Sequence, residues 1–290
     1  MRKRPDDGLA SPGAVFWRRF RKNKLAMFGM AVITLLIIAS VCAPLLTDYG
    51  RDTIDLYCIE APPDSNHLLG TDELGRDVLT RLLYGGRVSL AVGVLASLFE
   101  IMIGVCLGAI AGFYGGKVDN VVMRITDVIM CFPFFVVAIA LAAMIGPSMM
   151  NLIFIIALLE WTKVARIVRA EVLSIKEREF IQAARSLGLS KIEIIIKHIL
   201  PNTFASIMVF ATLAIANGIL TEAALSFLGL GVRPPQPSWG NMLSAAQSMR
   251  VLQYEWWMWM PQGFLVFITV ISINFLGDGL RDALDPKLKI

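Results

Sequence analysis

Six stretches of this sequence run almost without charge for the length that a helix needs to cross a bilayer. An α-helix rises about 1.5 Å per residue, so about 20 apolar residues traverse the roughly 30 Å hydrocarbon core. The windows are 25–46, 88–113, 121–145, 149–161 with a few residues beyond, 203–228 and 257–276. The fourth is short. It is apolar apart from Asn151 and runs into Glu160, Trp161 and Lys163, which puts its end at the membrane interface. With 56% of its residues hydrophobic and 17% charged, the chain cannot clothe itself in an ordinary solvated surface. The expectation is an all-α membrane protein with six transmembrane helices.

Lys and Arg placement sets the orientation, because cytoplasmic segments carry the excess. Residues 1–24, 112–124, 163–197 and the tail after Gly277 hold 21 of the 27 basic residues. The opposite side holds six: Arg51, Arg76, Arg81, Arg87, Arg233 and Arg250. Both termini are therefore expected in the cytoplasm. The net charge of +4 is accounted for by this bias and requires no nucleic-acid partner. The basic N-terminus precedes about 22 apolar residues with no small-residue cleavage site before Tyr49, so it reads as a retained anchor, not a signal peptide. Phe16, Trp17 and Phe20 alternate with Arg18, Arg19, Arg21 and Lys22, the pattern of an amphipathic segment in the headgroup layer of the lipid.

The chain divides into a cytoplasmic amphipathic segment (1–24), a first transmembrane helix (25–46), an extracytoplasmic loop (47–87) and a five-helix core (88–290) containing a cytoplasmic loop at 163–201. The outer loop has eight acidic residues against four Arg and contains Pro62, Pro63, Gly70 and Gly75, so it is expected to be irregular with short helices. A connection this long points to a function of its own. In the inner loop, Val164, Ile167, Val168, Val172 and Ile175 recur at helical spacing, extending the fourth span as an amphipathic helix. A second pattern follows Phe180. Ala183, Ala184 and Leu187 are expected on one face, Gly188 interrupts, and 191–200 resumes until Pro201 stops it. Two short helices bent at a glycine make a small knob on the cytoplasmic side.

No chemistry of the enzymatic kind is visible. Gly115-Gly116-Lys117-Val118 lacks the Ser or Thr that follows the Lys of a phosphate loop, so no nucleotide-hydrolysing site is expected in this chain. The two histidines, His67 and His198, fall on opposite sides of the membrane, and no cysteine pair has metal-ligand spacing, so no metal site is expected. Cys42, Cys106 and Cys131 lie in spans; Cys58, alone in the outer loop, is either reduced or paired outside this chain. A charge centred in a bilayer costs about 2.5 to 3.5 kcal/mol, so ionisable residues there face a cavity or a partner helix. Glu100 and Glu222 are the candidates for lining a substrate path, while Asp127 has Arg124 at pairing distance on its own helix. Asn217 and Asn274 read as interhelical hydrogen-bond partners. Pro234-Pro235, Pro237-Ser238-Trp239-Gly240 and the cluster Trp256, Trp257 and Trp259 read as a rigid turn and an interfacial belt.

Gln182-Ala183-Ala184, then Gly188 and later Leu200-Pro201, resembles the coupling loop of binding-protein-dependent permeases in bacterial ATP-binding-cassette importers. Gln182 stands where that family usually has Glu, and His198 precedes Ile199 where an Ile is usual. His67-Leu68-Leu69-Gly70-Thr71-Asp72 through Gly75-Arg76-Asp77, with Arg81, Tyr84-Gly85 and Arg87, is similar to the stretch ahead of the second span in dipeptide, oligopeptide and nickel permeases. So is the close, Gly277-Asp278-Gly279-Leu280-Arg281-Asp282 through Pro286. The resemblance implies the type I importer permease fold in a bacterial inner membrane. It implies a homologous second permease, two ATPase subunits that bind ATP and Mg, and a solute-binding protein. It also implies that Gln182, Ala183, Ala184, Gly188, Leu200 and Pro201 receive the ATPase. Peptides are the implied cargo, with nickel chelates, glutathione or another small solute as alternatives. A secondary transporter working without ATP is the competing class, although the inner knob has no role in that scheme.

Overall fold

The computed structural model describes residues 12–284. Within them the chain is helical, with one isolated antiparallel bridge between Thr71 and Asp77. Residues 1–11 of the expected N-terminal segment, and Asp285 and Pro286 of the closing motif, lie outside the described range.

Helix α1 (Pro12–Lys22) turns Phe20 inward against Ala26 and Ala283, with Phe16 and Leu276 beside it, and leaves Trp17 exposed. Its apolar face is thus taken up by other helices as well as by whatever surrounds it. Helix α2 (Lys24–Val41) begins at Asn23, whose Oδ1 accepts the Ala26 N–H at 3.1 Å while Nδ2 donates to Asp282 at 3.2 Å. The first span is thereby tied to the far end of the chain. Cys42 and Pro44 interrupt it before the short α3 (Ala43–Leu46).

Helix α4 (Val78–Tyr114) is the second span, but it begins ten residues earlier than the apolar window predicts. Asp77 caps it, accepting the Thr80 N–H at 2.7 Å. Its 37 residues would extend about 55 Å, well beyond a hydrocarbon core, so the helix projects past the apolar layer. The segment before it, 47–77, forms turns and no helix, contrary to the short helices expected there. Side chains replace the ladder of backbone bonds: Asp64 accepts the N–H groups of His67 and Asn66, which hold its carboxyl below the usual range. Asp72 takes the Arg76 guanidinium at 2.7 Å and that of Arg81 at 3.2 Å. The loop docks on the last outer segment through Glu60 and Arg250, 2.5 Å apart.

The third expected span is not one helix. Helix α5 (Gly116–Met130) and helix α6 (Phe134–Ile145) meet at 84° across Cys131, Phe132 and Pro133. Proline removes a helical N–H and drives the residue before it out of the helical region, which suffices to break the run. Helix α7 (Met149–Ile175) is continuous from the short fourth window through its amphipathic extension, as expected. Because Lys163, Arg166, Arg169 and Glu171 occupy its second half, it is not among the helices apolar enough throughout to count as a span. Asp127 pairs with Arg166 of α7 at 2.9 Å, not with Arg124.

After helix α8 (Glu179–Ser186), α9 (Lys191–Ile194) passes through a π-helical turn, 195–199, into α10 (Leu200–Phe227). Pro201 therefore does not end a helix. The Leu200 N–H bonds to Ile195 O, five residues back, and this widened turn absorbs the proline's missing donor. Short helices α11 (Trp239–Leu243) and α12 (Met249–Tyr254) precede α13 (Met260–Leu284). Trp239 lies at the end of the expected rigid turn. It is fully buried, with Nε1 donating to Leu82 O at 3.0 Å. Among the described residues, four helical runs are long and apolar enough to cross a membrane, α2, α4, α9 with α10, and α13, and the bent α5–α6 pair makes a fifth if it counts as one span.

The most extensive helix contact joins α4 and α7. Gly104, Gly108 and Gly112 of α4 lie against Val164, Ala165 and Val172, close enough that a Cβ at Gly108 would stand 3.0 Å from the Ala165 Cα. Small residues allowing close backbone approach are the usual means of helix association in lipid.

Candidate functional site

The segment following α7 is built to project a short helix. Residues 176–178 turn the chain, with Arg178 N–H bonded to Ile175 O, and α8 then folds back on an apolar floor. Ile181 and Ala184 are buried in that floor with Phe113, Val172, Ile175, Ile194 and Ile199. Gln182, Ala183, Leu187 and Gly188 face outward, and Leu187 is 80% exposed. The two alanines predicted on one face are thus split, Ala184 inward and Ala183 outward. Gln182 Nε2 donates weakly, at 3.3 Å, to Glu177 O and leaves the amide accessible.

Gly188 closes α8 in the left-handed region at φ +79°. Its N–H bonds to Arg185 O, and the next N–H, of Leu189, reaches Ala184 O at 3.2 Å. This pair of bonds is a Schellman motif, which favours glycine at this position. No atom lies within 4 Å of where a Cβ would be, so backbone conformation and not crowding selects glycine. Ser190 then restarts the helix by accepting the Glu193 N–H at 3.2 Å. Leu200 leans on the same apolar floor as Ala184, while Pro201 is exposed.

Cations fasten this turn to the end of α4. The Arg185 guanidinium lies 5.5 Å from the centre of the Phe113 ring, and Lys191 Nζ 5.4 Å from that of Tyr114. Lys176 Nζ donates to Gly112 O at 3.1 Å, among the carbonyls left unpaired at that helix end. The α8 turn is thus in contact with the end of α4, which in turn packs along α7 through the glycine stripe. None of these aromatic contacts was visible in the sequence, since Phe113 and Tyr114 lie 70 residues or more from their cations.

Of the two carboxyls expected along the spans, Glu222 is fully buried and accepts hydroxyl hydrogens from Ser89 and Ser226, each at 2.7 Å. Glu100 is also buried, at 3% exposure, but makes no hydrogen bond among the described residues. The charged groups within electrostatic range of it are Glu160 and Lys163 of α7, themselves paired at 2.5 Å. In the outer loop the fold brings together Asp55, Cys58 and His67, a grouping that ligand spacing did not suggest.

The chain is a multi-span helical membrane protein with a short glycine-closed helix held outside its long apolar runs. Residues 104–290 match the model of the binding-protein-dependent transport system inner membrane component family, and 11–63 match that of the N-terminal transmembrane domain of oligopeptide transport permease C. The chain belongs to this family of inner-membrane permeases and is a transmembrane subunit of an ATP-binding-cassette importer. It is 41% identical over 271 residues to the oligopeptide transport system permease protein OppC of Bacillus subtilis, covering 93% of this chain and 88% of that protein. The dipeptide transport system permease protein DppC of the same organism is 42% identical over 94% of this chain and 85% of its own length. The glutathione transport system permease protein GsiD of Pectobacterium atrosepticum is 41% identical over 98% and 94% respectively.

Proposed function

We propose that this subunit passes di- or oligopeptides, delivered by an extracytoplasmic solute-binding protein, through a channel shared with a homologous second permease. Two separate ATPase subunits, which bind ATP and Mg, drive it by docking on Gln182, Ala183, Leu187 and Gly188. Ala184, Leu200 and Pro201 carry the motion inward from that surface, and the chain itself catalyses nothing. The observation that carries this reading is the α8 turn: an exposed, small-residue surface locked to the ends of α4 and α7. The names of the oligopeptide and dipeptide relatives support the cargo. Gln182 places an amide at the docking surface, so the contact is steric and hydrogen-bonded instead of ionic.

Six crossings with cytoplasmic termini complete the proposal, with the α5–α6 pair and the first half of α7 as the third and fourth. The 21 to 6 division of basic residues supports this orientation. Glu100, which lacks a hydrogen bond, is the better candidate for the substrate path. Glu222, engaged by two serines, is proposed as a clasp between helices. The glutathione permease relative supports a second cargo, a tripeptide with an unusual linkage.

Uptake by the assembled importer in a host lacking its own peptide permeases tests the reading. Labelled di- and tripeptides should accumulate only with intact ATPase subunits, and glutathione should compete if the second cargo holds. Accumulation of neither would overturn the cargo assignment. Accumulation with ATPases whose phosphate-loop lysines are replaced would overturn the coupling assignment. For topology, a membrane-impermeant thiol reagent should label Tyr57→Cys from outside and Leu187→Cys only after permeabilisation, in a background lacking native cysteines.

A further inference from the structure

We propose that Asp55, Cys58 and His67 form a three-ligand site for a divalent metal ion of the zinc class, built into the loop ahead of α4. One donor atom from each of the three lies within 4.8 Å of the others. Thiolate, imidazole and carboxylate together suit zinc, and three protein donors leave its fourth tetrahedral position to water.

Several contacts hold these donors in place. His67 is 6% exposed, and its Nδ1 lies 3.0 Å from Asp77 Oδ1, leaving Nε2 as the nitrogen free to coordinate. A carboxylate on the far nitrogen of a metal-bound histidine is the usual supporting arrangement, since it fixes the ring and its tautomer. The Tyr49 ring stacks on the imidazole at 4.7 Å. Asp55 Oδ1 accepts the Tyr57 N–H at 2.9 Å, and the same carboxylate is within hydrogen-bond reach of the Cys58 thiol, a contact that a bound ion would replace. Cys58 is positioned by its N–H on Asp55 O at 3.1 Å and by a short bond from the Thr71 hydroxyl to its carbonyl. Gly75 lies so close to the Asp55 backbone that a Cβ would collide with it. Asp55 and Cys58 are partly exposed, which gives an ion a way in.

The site reaches the spans through Asp77, whose Oδ1 faces His67 while Oδ2 caps α4 at Thr80. A bound ion would therefore fasten residues 55–67 to the first turn of α4, whichever solute crosses.

The test uses the full chain, purified in detergent with a tag that contains no histidine, stripped with chelator and titrated with Co²⁺. About one Co²⁺ per chain should bind with a near-ultraviolet thiolate-to-cobalt band, and Zn²⁺ should displace it. Cys58→Ser should abolish the band, and Asp55→Asn should weaken binding about tenfold or more. Cys106→Ser with Cys131→Ser should change nothing. Melting temperature without metal should be the same for Cys58→Ser as for the parent chain. No stoichiometric binding at micromolar metal, binding without the thiolate band, or a band that survives Cys58→Ser would each overturn the proposal.

Discussion

The Ser89 hydroxyl on α4 donates to the Glu222 carboxyl on α10 at 2.7 Å, and the same oxygen accepts the backbone N–H of Trp239 at 3.0 Å. Three segments remote in sequence meet at one fully buried acid, and Ser226 supplies its second hydroxyl contact. Glu222→Ala leaves the buried Ser89 hydroxyl without its acceptor, at a cost of about 1 to 3 kcal/mol. Glu222→Gln retains an acceptor oxygen and should lose less. Thermal melting of the detergent-solubilised importer should rank parent, Gln variant and Ala variant in falling order. Equal melting of all three would remove the clasp.

Gly188 stands in the left-handed region with open space around it. A β-branched residue there is strained by about 1 to 2 kcal/mol, whereas asparagine adopts this conformation more readily. Gly188→Val should leave membrane insertion intact while sharply lowering uptake and transport-linked ATP hydrolysis. Gly188→Asn should keep a substantial part of both. Full uptake in the Val variant would show that the turn is not the coupling element.

Gly108 has the opposite reason to be glycine. It is an ordinary helical residue whose Cβ would meet the Ala165 backbone. Gly108→Leu must prise α4 from α7, and overpacking of this kind costs about 1 to 3 kcal/mol. The expected outcome is low yield of folded chain and a lower melting temperature, read by size-exclusion chromatography of the fluorescently tagged protein. Gly116→Ala, at a glycine with no atom within 4 Å of its Cβ site, provides a comparison in which only backbone strain is added.

Apolar length sufficed to locate four of the long helical runs but not their ends, which differ from the windows by up to about ten residues, because length follows from the bilayer and the ends follow from the fold. The first ten residues of α4 escaped notice because Arg81 and Arg87 interrupt the apolar run. Arg87 caps the end of the first span instead, donating to Ser40 O at 2.6 Å and Val41 O at 2.7 Å. Pro133 was a legible break that window hydropathy averaged away. Pro201 was legible too, but reading it as a helix end ignored that a π-turn can carry a helix past a proline. For the proposed docking surface, the residue types at 182–188 gave the turn and its glycine. They could not give its orientation, because Ala183 and Ala184 differ only in which one the floor around Ile181 takes up. The Asp55, Cys58 and His67 grouping had no periodic signal at all, since it depends on how an irregular loop closes on Asp77.

The clamp between the α8 turn and α4 separates coupling from stability. Arg185 over Phe113 and Lys191 over Tyr114 are cation–aromatic contacts at a surface, worth about 0.5 to 1 kcal/mol each. The double variant Arg185→Ala, Lys191→Ala should therefore fold and melt near the parent, since Ile181 and Ala184 still hold α8 on its floor. What it loses is the contact between α8 and the end of α4 through which the proposed coupling would pass. Solute transported per ATP hydrolysed, measured in liposomes containing the assembled importer, should fall by several-fold while ATP hydrolysis continues. Arg185→Lys, which keeps a cation over Phe113, should restore much of that ratio when Lys191 is intact. An unchanged ratio in the double variant would mean that the motion passes through the apolar floor alone.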